Sequence, residues 1–117
     1  MTKIRSSANE LYDYYLYPEE LIKYKFGFNI SEGINEVGRE ENIFAILDII
    51  CRHKKNFETE AWEFTRDGEN LFTLIGKDRF GTEFVKIPKI KSDFFFDDLN
   101  LIKKGKLLCL PIEENLY

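Results

Sequence analysis

Residues 60–77 read EAWEFTRDGENLFTLIGK, and this stretch decides the fold class. Successive side chains of a strand point to opposite faces, so strict alternation marks a strand with one buried side. In EAWEFTR, Trp62 and Phe64 fall on one face and Glu63 on the other. DGEN follows, Asp67 to Asn70, a turn in which Gly68 is expected to take positive φ. LFTLIGK then reads as the returning strand.

Downstream the same period continues. DRFG is a second turn, and TEFVKIP a third strand that Pro88 is expected to end. DDLNLI and KLLCLP, joined by Lys103-Lys104-Gly105-Lys106, complete five strands. Strands joined by short turns predict an antiparallel meander over about residues 60–110.

Upstream the period is helical. Glu41 to Lys55 reads ENIFAILDIICRHKK, acidic at its start and basic at its end, as the helix dipole favours. Ile43, Phe44, Ile46, Leu47, Ile50 and Cys51 give it a broad apolar arc, so it is expected to be the main helix, packed on the sheet. Ser7 and Glu10 fit a capping box before a short helix, about Ala8 to Leu16, and Pro18 suits the start of a new turn. Leu21 to Ser31 reads as a short strand or an extended segment, and Ser31 as the cap of a helix that Gly38 ends. The expectation is therefore one α+β domain over residues 1–117.

Composition narrows the function. With 44% apolar and 15% aromatic residues, the chain carries enough bulk for one core. A domain of this size needs no metal or disulfide to fold, and the reading implies no cofactor. The net charge of −4 argues against a general nucleic-acid binder, since counterion release drives that binding. Cys51 and Cys109 each sit in an apolar run and read as buried free thiols; a disulfide would need their elements packed together. The N-terminus has no secretory h-region, and no apolar run reaches a membrane span, which points to a reducing, cytoplasmic setting.

No catalytic constellation stands out. His53 is the one histidine. It lies two residues from Cys51, about 200° around a helix, so the two do not meet. Gly76, Gly81 and Gly105 form no phosphate-cradling loop. Glu40-Glu41 and Glu113-Glu114 read as solvated ends. A hydrolase using paired carboxylates stays open as an alternative.

Two segments are candidates for binding. DFFFDD places Asp93, Phe94, Phe95, Phe96, Asp97 and Asp98 in one run. If the strand pleat holds there, Phe95 faces one way and Phe94 and Phe96 the other. Either both faces are covered, or exposed rings with an acidic rim form a partner site. Such a rim favours a basic partner surface, such as the nucleic-acid channel of a nuclease. The second segment spans residues 86–106, where Lys86, Lys89, Lys91, Lys103, Lys104 and Lys106 outnumber three aspartates for a local +3. If KIPKIK and KKGK lie side by side, they form a phosphate-contacting patch of an RNA-binding module. Otherwise these lysines guard strand edges against aggregation.

The apolar helix IFAILDII, AWEF with Trp62, DGEN and the terminal KLLCLPIEE occur in that order. In this the chain, over roughly Tyr24 to Glu114, resembles an uncharacterised family of short bacterial, plasmid and phage proteins. That family typically has a tryptophan in its helix, where this chain has Ile and Ala. The resemblance implies an α+β fold and a mobile-element setting, and no chemistry. Small acidic proteins from such elements often block host defence nucleases, CRISPR effectors among them. The sequence-level expectation is thus a non-enzymatic binding protein that inhibits such an effector by protein–protein contact.

Overall fold

A computed structural model describes residues 7–11 and 20–117. The element that organises it is the hairpin of β3 (Thr59–Gly68) and β4 (Leu71–Asp78). Its turn differs in one detail from the reading above. The residue with positive φ is Asn70, at 60°, and Gly68 instead pairs with Leu71 after a bulge. Asparagine is among the few non-glycine residues that tolerate this region, because its short side chain bonds locally.

β5 (Glu83–Lys91) pairs with β4 and forms one edge of the sheet. Pro88 does not end it. The register slips between Leu74–Ile87 and Phe72–Ile90, leaving Pro88 and Lys89 opposite Thr73, and Lys89 has φ 60°. A proline has no N–H to give, so an edge-strand bulge is a place that accepts it.

From β5 the chain does not turn back to a neighbouring position. It crosses to the far side of β3, where β6 (Asp98–Lys104) pairs antiparallel with β3. The spatial order β6-β3-β4-β5 is a Greek key, so the expected meander is corrected from its fourth strand onward. β7 (Leu107–Cys109) returns beside β6, through a turn with Gly105 at φ 57°.

Two further short strands, β1 (Ile22–Lys23) and β2 (Asn29–Ile30), extend the sheet past β7. β2 runs parallel to β7, so the sheet is mixed and seven-stranded, where five antiparallel strands were expected. Both lie within Leu21–Ser31, expected as one short strand or extended segment; a 3₁₀ turn at Lys25–Gly27 divides it into two strands.

Two helices form where two were expected, with shifted bounds: the Ser31-capped one runs past Gly38, and the main helix, expected over Glu41–Lys55, is confined to Phe44–His53. α2 (Glu32–Glu41) starts at Ser31, whose hydroxyl accepts from the Ile34 N–H at 3.2 Å. It runs through Gly38 and stops at Asn42, which is left-handed at φ 56°. α3 (Phe44–His53) follows. Gly38 is needed for contact, not for the stop: a Cβ there would lie 2.6 Å from the Phe44 ring. The earliest helix, α1, is described over Ala8–Leu11; the rest of its expected span and the Pro18 turn lie outside the described residues. Asn9 of α1 donates to the Asn100 carbonyl and accepts its N–H, serving as a strand substitute beside β6.

The result is one compact α+β domain with a Cα radius of gyration of 13.5 Å. Its core lies between the helices and the sheet face bearing Trp62, Phe64, Phe72, Leu74, Leu99 and Leu101, all fully buried. Behind the sheet, Ile102, Leu107 and Cys109 form a smaller cluster with Ala61 and Tyr117.

Glu113 also departs from expectation. It is 1% exposed, and its carboxylate accepts from Ser31 Oγ at 2.5 Å, Gly33 N at 3.2 Å and Leu110 N at 2.9 Å. A carboxylate suits a helix N-terminus, where N–H groups lack partners. A Cβ on Gly33 would stand 2.6 Å from that oxygen, so the glycine admits it. Cys51 and Cys109 are both free and buried, as expected. Burial pushes their thiols up to about 11 and about 12, so both are inert at neutral pH.

Candidate functional site

DFFFDD is the Greek-key crossover. Residues 92–97 form no strand, but the alternation persists. Phe94 is 1% exposed and Phe96 8%, whereas Phe95 is 47% exposed. Phe94 packs on Phe64 and Phe72, with centroids 5.6 and 5.9 Å away, and closes the core where the β3–β4 hairpin ends. The loop is tied to that hairpin through Ser92 N–H and the Asn70 carbonyl, 3.1 Å apart.

Arg66 fixes the loop from beneath. It stands opposite Phe72 on the core-facing register of β3, its guanidinium 4.6 Å from that ring. Its Nη2 donates to three consecutive carbonyls, those of Phe94 (2.6 Å), Phe95 (3.2 Å) and Phe96 (3.1 Å). Its Nε lies 3.2 Å from the Asp97 carboxylate, and its backbone N–H reaches the Asp97 carbonyl at 2.8 Å. A guanidinium presents rigid planar donors, so it locks backbone geometry better than an ammonium does. Phe95 is therefore displayed from a loop anchored on both sides, its ring edge-on to Phe96 at 5.2 Å. Asp93 beside it is exposed, while Asp97 and Asp98 are half-buried.

Sequence reading passed over Arg66. A signal was present: it shares the period-two register of Trp62 and Phe64, and a cation turned toward a core must find acceptors.

The lysines do not converge. Lys86, Lys89 and Lys91 sit on edge strand β5, exposed. KKGK lies between β6 and β7, with β3 and β4 intervening, about 14 Å away at the usual strand spacing. Lys91 stands at the Leu71 end of the sheet and Lys104 at the Thr59 end. Lys103 is 3% exposed; its Nζ donates to the carbonyls of Phe57 at 2.8 Å and Gly105 at 3.1 Å. Lys104 Nζ bonds the carbonyl oxygens of Glu114 and Tyr117, both at 2.7 Å, which holds the C-terminal 3₁₀ turn. Lys106 is exposed, its ammonium over the Phe28 ring at 4.9 Å.

Among the carboxylates, Glu60 is fully buried and burial raises its pKa. One oxygen accepts from Trp62 Nε1 at 3.2 Å. The other lies 3.6 Å from Lys103 Nζ, a Coulombic pairing beyond hydrogen-bond reach. Such a carboxylate is turned away from any substrate. Asp48 is held below its ordinary range, chiefly by the Tyr24 hydroxyl at 2.5 Å. Among the described residues no group of three or more His, Cys, Asp or Glu is placed to hold a metal, and no helix is long and apolar enough to cross a membrane.

No family model, curated protein or solved structure matches the chain.

Proposed function

We propose that this is a non-enzymatic binding protein that docks on a basic protein surface through the loop bearing Asp93 and Phe95. In its sharper form, the partner is a nucleic-acid-binding effector, such as a host defence nuclease of the CRISPR type, and docking inhibits it. Support comes from one observation above all: a single guanidinium group holds the three carbonyls around an outward-facing phenylalanine. Burying such a ring contributes roughly 1.5–3 kcal/mol. Ordering a loop on binding opposes affinity by about 0.5–1.5 kcal/mol per immobilised side chain, and an already fixed loop avoids that. A stable interface covers about 800 Å² per partner, so the loop is its anchor and neighbouring surface supplies the rest. The buried free thiols suit a reducing compartment, and we place the action in the cytoplasm.

The test combines Phe95→Ala with Asp93→Lys; Asp97 is left intact because it is bound to Arg66. Asp93 is exposed and Phe95 about half so, with its ring packed on Phe96; a loss of about 1 kcal/mol is expected in urea titration, with the fold retained. Capture of a basic protein from nuclease-treated extract of the native cell should be lost. A double variant that still captures the same partner, or that unfolds, contradicts the assignment.

A further inference from the structure

A second exposed surface lies at the opposite end of the sheet and is rich in bases. There the segment after α3 passes between the β6–β7 turn and the β4–β5 turn. A cavity of about 160 Å³ is lined by Lys54, Lys55, Phe57, Glu58 and Lys106, among others. An adjoining cavity of about 240 Å³ shares Phe57 and Glu58 and continues to Arg79 and Phe80. The two flank the Phe57–Glu58 segment, with Lys106 beside one and Phe80 beside the other.

The chemistry of this surface is cationic and aromatic. Lys54, Lys55, Arg79 and Lys106 form no ion pair among the described residues. Of the two facing acids, Asp78 is engaged: its carboxylate accepts the N–H groups of Phe80 and Thr82, both at 2.9 Å. Glu58 is the remaining one. The helix dipole accounts for bases in the last turn of α3. It does not account for Lys106 or Arg79, which arrive from two other turns.

The aromatic half is equally built. Phe57 is 43% exposed and Phe80 78%. Phe57 stands edge-on to Phe84 at 5.5 Å, and Phe84 edge-on to buried Trp62 at 5.5 Å. Lys103 holds the Phe57 carbonyl from inside, so this residue is fixed both at its backbone and by its ring contact with Phe84.

We infer that this surface binds single-stranded nucleic acid, with phosphates on Lys54, Lys55 and Lys106 and an unpaired base against Phe57. Exposed aromatic rings inside a basic groove make a platform on which any unpaired base stacks, whereas paired bases hide their faces. The net charge of −4 weakens long-range attraction, so binding rests on the local cluster of bases. Fields are screened within about 8 Å at physiological salt, while Asp67, Glu69 and Asp93 lie at the far end of β3, roughly 30 Å away at ~3.3 Å per residue. The site is separate from the Phe95 loop, so either stands if the other fails.

The experiment is fluorescence anisotropy of a labelled 12-nucleotide uridine oligomer titrated with the full chain. Three to four phosphate contacts predict affinity falling roughly 20- to 50-fold between about 50 and 200 mM salt. Lys55→Glu with Lys106→Glu should weaken binding at least tenfold and flatten the salt dependence. Phe57→Ala should weaken it roughly 5- to 100-fold at unchanged salt dependence, and Phe57→Tyr, which retains a stacking face, should restore it. Thermal melts confirm that each variant is folded. The inference is overturned by absent binding at the lower salt, by affinity indifferent to both sets of changes, or by polyglutamate competing as well as the oligomer. That last outcome would mark an acidic-protein site.

Discussion

Replacing Arg66 with methionine will cost about 3 kcal/mol of stability and release the Phe95 loop. The side chain keeps its apolar stem on Phe72, so packing is nearly conserved and the loss reports the guanidinium. Hydrogen bonds to charged groups contribute about 1.5–3 kcal/mol, and three carbonyls at the core's rim lose their donor together. The Asp97 contact adds little, since that carboxylate is 39% exposed. Arg66→Lys should recover only part of the loss, because one ammonium cannot copy the planar fork. Urea titration measures the cost. Hydrogen exchange places it: amides of residues 92–97 should lose protection before those of β3 and β4. Uniform loss across the sheet would mean that Arg66 is a core residue with no particular hold on the loop.

The second large effect lies in the buried pair of Glu60 and Lys103. Lys103→Met alone should destabilise by about 3–5 kcal/mol, because it leaves a fully buried carboxylate without its countercharge. Combining it with Glu60→Leu should recover only part of the loss, since it removes the orphaned charge but leaves Trp62 Nε1 and the Phe57 and Gly105 carbonyls without their partners. The single variant has a pH signature. Burial already raises the Glu60 pKa, and loss of the lysine raises it further. The folded state then binds a proton that the unfolded state releases near its ordinary value, about 4.3. Stability of Lys103→Met therefore declines as pH rises from that value through the raised folded pKa, and recovers in acid. A pH-independent deficit would assign the cost to lost packing of the lysine stem.

How much of this was legible follows the reach of each signal. Alternation in EAWEFTR and LFTLIGK marked the central hairpin, because each strand buries one face and the period is local. Ser31 was legible as a cap for the same reason. The Greek key was not, since six residues connect β5 to β6 whichever side of β3 receives them. The break between α2 and α3 was legible but misplaced: Gly38 was read as its site, whereas the left-handed turn falls on Asn42, one of the few other residues that tolerate it. Glu113 looked solvated because its three donors come from positions 31, 33 and 110, two of them about 80 residues away.

At the candidate sites the same distinction holds. The outward turn of Phe95 between inward neighbours followed from the pleat, even though the segment is a loop. Which basic segments meet did not follow. Sequence paired KKGK with KIPKIK, its nearer neighbour in the chain, whereas the fold sets Lys106 beside Lys54 and Lys55 at the end of α3. Chain proximity is a poor guide once four strands are laid out of order.

The central claim, that the Phe95 loop is the docking surface for a basic protein, is tested most directly by placing a photoreactive phenylalanine analogue there. Position 95 and, as control, exposed Thr65 on β3 are each substituted, and nuclease-treated native extract is irradiated. The account predicts a discrete adduct with one basic protein from position 95 and none from position 65. Equal labelling at both positions, or no adduct at 95, would contradict it.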